Sequence, residues 1–233
     1  MTHSIKLRLL GAGALCAVVA ACASAPKSVT YTDLASASYL APNTQADAKH
    51  IPYLYSTDVD WRAYDKLILD PVVVYQGSGQ QFGTLSDTDK AALADYMSKQ
   101  FADSLRKRFA MVNSPGAATL HVKLTLTGAT KTTPVVGTFT HFDVGGNVYN
   151  GVQSVVGGRG AFSGEVMYAV EISDAQTKRL LEAYVSKRYP RPYNVKASFG
   201  SLTAAEVGIK KGADALLEQL SSGSRAIPTY LQN

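Results

Sequence analysis

The residues in this chain whose types could do chemistry are few, and their spacing argues against most of the usual sets. Beyond the first residues the histidines are His50, His121 and His141, and none stands four positions from another as a zinc site of the His-x-x-x-His kind requires. Gly77-Ser78-Gly79 lacks the Gly-x-Ser-x-Gly elbow of a serine hydrolase, and Gly157-Gly158-Arg159-Gly160 lacks the Lys-Ser/Thr of a phosphate loop. Asp70 and Asp174 could form a carboxylate pair for acid–base work, but each sits beside a turn signal, and turn chemistry accounts for both. His121 alternates with leucines and reads as a solvent-facing strand residue rather than a base. The expectation is a protein that is not an enzyme, with no catalytic residue, metal or cofactor.

One residue does stand in a reactive context. Lys6 and Arg8 precede an apolar run from Leu9 to Val19, which has the length of a secretory core and is too short to span a bilayer. The run ends in Val19-Ala20-Ala21-Cys22, which resembles a bacterial lipobox. Small residues at 20 and 21 let an extended backbone enter a signal peptidase, and the Cys22 thiolate is the nucleophile that takes a diacylglyceryl group. The alternative is an ordinary signal peptide cleaved after Ala23 or Ala25, with Cys22 merely small. Cys16 follows the bulky Leu15 inside the apolar run and leaves with the signal in either case. Lipidation at Cys22 therefore leaves no thiol for a disulfide, redox couple or nucleophile. Three acyl chains hold a bilayer far more firmly than one. By similarity to lipoprotein sorting rules, Ala23 in place of an aspartate favours the outer membrane, with the domain facing the periplasm.

The chain has 233 residues, 46% hydrophobic and 18% charged, enough apolar content for one real core. Its formal charge of +5 falls to +3 once Lys6 and Arg8 are removed, too little to argue for nucleic acid. From this follow a signal at 1–21, a lipidated N-terminus and tether at 22–59, a globular domain at 60–222 and a tail at 223–233. Within the tether, the Tyr53-Leu54-Tyr55 cluster, with Trp61 beyond it, is the part expected to pack on the domain.

The elements that must position anything functional are legible from periodicity. Lys66 to Tyr75 reads as a strand, with Pro71 marking an edge, bend or break. Ser86 and Asp89 nearly form a capping box, opening a helix to about Phe109 with Leu93, Tyr96, Met97, Phe101 and Leu105 on one face. Arg106-Lys107-Arg108 then complements the helix dipole in its last turn. Thr119 to Thr127 alternates as a half-buried strand. Val166–Ser173 and Arg179–Lys187 read as a hairpin across Asp174–Lys178, and Thr203-Ala204-Ala205-Glu206 as a full capping box for a helix to Ser221.

Between the strands, Thr132 to Gly164 holds eight glycines in 33 residues and only two charges, Asp143 and Arg159. Valines and Tyr149 at helical spacing favour a small-residue helix over about 143–156, though the even positions also permit an interrupted strand. Each glycine weakens such a helix by about 1 kcal/mol, so packing must hold it. Tyr189-Pro190-Arg191-Pro192-Tyr193 is extended by its prolines and reads either as a recognition strip or as a loop with locally packed tyrosines. Tyr149, Arg159, Tyr189, Arg191 and Tyr193 are the candidate interaction surface.

The lipobox, the Asp60-Trp61-Arg62-Ala63-Tyr64-Asp65-Lys66-Leu67-Ile68-Leu69-Asp70-Pro71-Val72 segment, Ser114-Pro115-Gly116, and Glu171-Ile172-Ser173-Asp174 with Thr177 together resemble a proteobacterial lipoprotein family catalogued as a domain of unknown function. The resemblance runs from about Ser38 to Leu220. A glycine is more usual in the turn after the Asp-x-x-Thr motif, where this chain has Lys178. The resemblance implies localisation and fold class, and carries no activity. The expected fold is a single α+β domain: a mostly antiparallel sheet of four or five strands, two main helices on one face and an additional glycine-rich helical segment. The expected function is a non-enzymatic accessory or interaction protein, anchored in the membrane through its N-terminal lipid, with an envelope protein as partner. The alternatives are a lipid- or glycan-binding carrier and, behind it, an envelope hydrolase.

Overall fold

A computed structural model describes residues 31–131, 164–189 and 202–222. The glycine-rich segment and its expected helix, the Pro-rich strip beyond Tyr189 and the tail all lie outside the described residues.

The described chain forms one α+β unit. Eight strands make a single mixed sheet: β1 (Ala41–Pro42), β2 (Tyr53–Ser56), β3 (Lys66–Leu69), β4 (Val73–Val74), β5 (Ala110–Met111), β6 (Thr119–Thr130), β7 (Glu165–Asp174) and β8 (Leu180–Arg188). The order is β1-β2-β8-β7-β6-β3-β5, with β4 also on β6. Two helices, α1 (Asp87–Leu105) and α2 (Thr203–Ser221), pack against each other and on the sheet. Among the described residues no helix is long and apolar enough to cross a membrane.

The sheet is larger and less antiparallel than periodicity implied. β3 and β4 run parallel to β6, and β5 runs parallel to β3. A strand followed by a helix and a second strand is a crossover unit, and the helix carries the chain back so that the strands run the same way. The Asp70-Pro71-Val72 stretch is a break between β3 and β4, and the freed Val72 N–H reaches Ser98 Oγ of α1 at 3.4 Å.

The tether boundary also moves. Residues 31–59, expected as a tether that packs on the domain only at Tyr53–Tyr55, fold onto it more fully: β2 pairs antiparallel with β8, and β1 extends that edge. The Tyr53–Tyr55 cluster is β2 itself, and Trp61 is buried in the core. Short polar residues hid this because a two-residue and a four-residue strand carry too little alternation to see.

At the helix ends, Ser86 Oγ accepts the Asp89 N–H at 3.2 Å and donates to the Asp89 carboxylate at 2.6 Å, closing the predicted cap. α1 stops at Leu105 rather than near Phe109, with Arg106 as its cap residue. Arg108 then turns inward and donates to the carbonyls of Trp61 (3.1 Å) and Tyr64 (3.4 Å), its guanidinium lying over the Phe109 ring. For α2 the expected capping box fails: the cap residue is Leu202, which has no side-chain oxygen, and Thr203 is already helical.

The core lies between the helices and one sheet face. Leu120, Val122, Leu124 and Leu126 of β6, with Val166, Tyr168, Val170 and Ile172 of β7, face Leu93, Met97, Phe101 and Leu105 of α1 and Ile209, Ala213, Leu216 and Leu220 of α2. Gly208 and Gly212 set how close α2 comes. A β-carbon at Gly212 would overlap the Tyr168 hydroxyl, and one at Gly208 would lie 2.7 Å from Val166 Cγ1. Two glycines one turn apart weaken the isolated helix, so their effect is realised in packing.

Candidate functional site

The face of the sheet away from the helices carries the remaining polar and titratable residues. Alternation sends His121, Lys123, Thr125 and Thr127 of β6 to that side, and the antiparallel register places Ser173, Glu171 and Ala169 of β7 beside the first three. β7 is nevertheless buried on both sides, because Met167, Ala169 and Glu171 are covered as well.

The cover is residues 31–40, a strap lying across the sheet centre. Tyr31 and Leu34 bury against Tyr75, Ala169 and Val185, with Ala37, Leu40 and Tyr53 at the margin. The Tyr31 and Tyr75 rings meet edge to face at 5.6 Å, and Gln81 Nε2 donates to the Tyr31 hydroxyl at 3.2 Å. The Ser36 N–H donates to Glu171 Oε1 at 2.6 Å, giving this buried carboxylate a backbone partner. Gly77 is a point of close approach: a β-carbon there would overlap the Asp33 carboxylate and crowd the Tyr75 hydroxyl at 2.5 Å.

Beside the strap the sheet brings together a pair that spacing did not reveal. His121 Nε2 lies 2.8 Å from Asp70 Oδ1, with side-chain exposures of 29% and 36%. The pair exists because Ile68 and His121 are neighbours in the parallel β3–β6 register, which brings Asp70, two residues on, beside the same strand. His121 stands, as expected, on the face away from the core leucines and is part-exposed; nothing in the sequence states the register that puts a carboxylate beside it. A carboxylate on one imidazole nitrogen fixes the ring and is the base-and-orienter half of a hydrolytic set. The hydroxyl opposite, Ser173, donates at 3.5 Å to the His121 carbonyl rather than to the ring. The nucleophile-to-base bond of a catalytic triad is thus not formed here, and the pair ties β3 to β6.

Asp70 and Asp174 do not meet. Asp174 Oδ1 accepts the N–H groups of Gln176 (3.1 Å) and Thr177 (2.7 Å) and the Thr177 hydroxyl (2.9 Å), while Oδ2 accepts the Tyr64 hydroxyl at 3.1 Å. The Thr177 N–H, with smaller help from its hydroxyl and from Tyr64, holds the Asp174 carboxyl below its ordinary pKa. Lys178 closes this turn with φ at 61°, the left-handed conformation that a glycine adopts more cheaply. The turn type is therefore kept although the glycine is not.

Of the expected interaction residues, Tyr149, Arg159, Arg191 and Tyr193 lie outside the described residues, as does Cys22. Tyr189 is half-buried, with its ring 5.0 Å from that of His50. His50 also pairs with the backbone of β8: its carbonyl accepts the Lys187 N–H at 2.7 Å, and its Nδ1 lies 3.3 Å from the Lys187 carbonyl. Burial, followed by the charge of Arg188, pushes the His50 pKa down. Among the described residues, no group of three or more His, Cys, Asp or Glu is placed to hold a metal ion.

The model of a protein family described as a protein of unknown function (DUF3313) matches residues 30–216, from one residue before the strap to within α2. The chain belongs to the DUF3313 family. The DUF3313 match begins with the strap, so the strap and β1–β2 edge are part of the family's unit. No curated protein matches the chain. Two solved structures of PelC from Paraburkholderia phytofirmans, both dodecamers, are similar at 10% identity and TM-score 0.36. The first, a point variant of PelC, covers 69% of this chain and 92% of that one, and the second covers 74% and 95%.

Proposed function

We propose that this DUF3313 chain is a bacterial cell-envelope lipoprotein, acylated on Cys22 and held in the outer membrane with its domain facing the periplasm, where it serves as a non-enzymatic accessory or interaction protein. The observation that carries the reading is Val19-Ala20-Ala21-Cys22 at the end of a charged-then-apolar leader. The composition supports it: Ala23-Ser24-Ala25-Pro26-Lys27-Ser28-Val29-Thr30, between the cysteine and the family match, is made mostly of small and polar residues, as suits a lipid-anchored N-terminus.

The test is the mass of the N-terminal peptide of the full chain expressed in a diderm bacterium, together with detergent-phase partitioning of the chain and of Cys22→Ser. The expected result is a triacylated Cys22 as first residue and transfer of the variant to the aqueous phase. A mature chain starting at Ser24 or Pro26 overturns the lipoprotein reading. Crosslinking of the anchored protein to its envelope neighbours then tests the accessory role.

A further inference from the structure

We infer that the sheet face under the strap is the surface on which this protein takes its envelope partner, a helical segment carrying a basic residue for Glu171, and that the strap is a built-in competitor for that surface. The inference rests on the interaction role proposed above and not on the acylation of Cys22. The strap is a chain of turns rather than an extended segment. The N–H groups of Leu34, Ala37 and Tyr39 each donate to the carbonyl three residues back, and that of Leu40 donates to Ser36. Turns of this kind bring every third residue to one side. Tyr31, Leu34, Ala37 and Leu40 are indeed the strap residues that meet Tyr75, Ala169, Val185 and Tyr53.

The stripe crosses the strands. Tyr31 sits on Tyr75 and Gln81, both bonded to the backbone of β6; Ser36 reaches Glu171 of β7; and Tyr39 stacks on Tyr55 of β2 at 5.1 Å. From Tyr31 to Leu40 a turn-built chain rises about 18 Å at roughly 2.0 Å per residue. From β6 through β7 and β8 to β2 the sheet spans about 14 Å, at roughly 4.8 Å per strand. The face therefore accepts a short helical segment by an apolar stripe, a recurring mode of peptide recognition.

Its present occupant fits imperfectly. Ser36 Oγ is buried and has no hydrogen-bond partner. Glu171, also buried, takes the neutral Ser36 N–H at 2.6 Å and, among the described residues, forms no ion pair, although Lys123 stands opposite it in register. A buried hydroxyl without a partner and a buried charge without a counter-charge both cost stability. The strap holds its place because it is tethered, which gives it a high effective concentration. A segment with Lys or Arg where the strap has Ser36 removes both defects, through a charge-assisted bond to the carboxylate. The partner's signature is thus an aromatic residue, a leucine three positions on and a base two positions beyond that.

The experiment measures binding of two fluorescent peptides to the full chain by anisotropy: residues 31–41 as they stand, and the same peptide with Ser36→Lys. The strap is opened by Leu34→Asp or, through a different contact, by Tyr31→Ser. The lysine peptide is expected to bind both opened chains at least tenfold more tightly than the unaltered chain, and tenfold more tightly than the serine peptide does. Adding Glu171→Gln should erase the second difference. No binding to the opened chains, or equal binding with the strap intact, overturns the inference. So does a lysine preference that survives Glu171→Gln. Loss of hydrogen-exchange protection in the centre of β6 and β7 in both opened chains makes the strap a structural part and overturns its role as competitor. A dimer of the unaltered chain in sedimentation that the serine peptide dissociates gives the face to a second copy's strap and overturns the partner class. Each of these failures leaves the lipoprotein reading to the Cys22 mass, and the accessory role to crosslinking through another surface.

Discussion

The two faces of the sheet are covered by different physics. On one, α1 and α2 bring two long apolar stripes against β6 and β7, and the interface is broad and largely aliphatic. On the other, ten residues without a helix or strand are held by Tyr31, Leu34, one edge-to-face ring contact and one bond to a buried carboxylate. Burial of apolar area contributes roughly 25 cal/mol per Å², so the helix face carries most of the stability and the strap face only a fraction. The difference teaches that a sheet can be buried on both sides while only one side is structurally indispensable. The strap is therefore expected to open on its own, and the helices are not.

The sharpest way to break that contrast is to empty a position on each side. Phe101 is fully buried and meets Tyr168 edge to face at 5.7 Å. Phe101→Ala is expected to lose about 3–5 kcal/mol of unfolding free energy in a urea titration. A loss below about 1 kcal/mol would mean that the helix layer is not the main core. Gly212→Ala sharpens the same point through its sign. Alanine is about 1 kcal/mol better in a helix, yet its β-carbon would strike the Tyr168 hydroxyl. A net loss of about 1–2 kcal/mol is expected from the overpacking, and a gain would show that α2 is free to shift.

On the strap, Leu34→Ala is expected to speed hydrogen exchange of amides in 31–40 by roughly 30-fold, equivalent to about 2 kcal/mol, without changing exchange in the centre of β6 and β7. Uniform acceleration across the molecule would make the strap part of the global unit and erase the contrast. Glu171→Gln acts on the same strap more gently. The amide oxygen still accepts from Ser36, but the charge-assisted part of the bond goes, so the local opening should become easier by about 1 kcal/mol.

How far this arrangement could be read from the chain follows the same division. β6, the β7–β8 hairpin and both helices were legible because long alternations and 3.6-residue stripes repeat often enough to average out exceptions. The strap and β1–β2 edge were not, since Tyr31, Leu34 and Leu40 are isolated apolar residues among polar ones, and their burial depends on a surface formed by strands more than 100 residues later. The Asp70–His121 pair was invisible for the related reason that parallel register is a tertiary fact. Lys178 marks a milder case: the Asp174 turn was predictable from Asp-x-x-Thr, while its left-handed residue was not, because the turn imposes the conformation on a lysine.

The smallest expected effect sits where the strap side meets the β8 edge, at His50. Burial and the Arg188 charge depress its pKa, against the weaker opposing pull of the Lys187 carbonyl and Asp47. In the unfolded chain the imidazole titrates near its ordinary value of about 6.5. Between that value and the lower folded one the unfolded state binds more protons, so stability is complete above about pH 6.5 and declines as the pH falls through this window. The depressed carboxyls, Asp174 among them, act in the opposite range of affinity: their contribution is present above about pH 4 and is lost only in stronger acid. The two windows are therefore separable in one titration. His50→Gln keeps a donor for the Lys187 carbonyl and removes the titrating ring, so the decline that begins below about pH 6.5 should flatten while the acid limb below about pH 4 stays. An unchanged slope in the upper window would mean that His50 gains its proton as easily when folded as when unfolded, and that this edge opens without regard to pH.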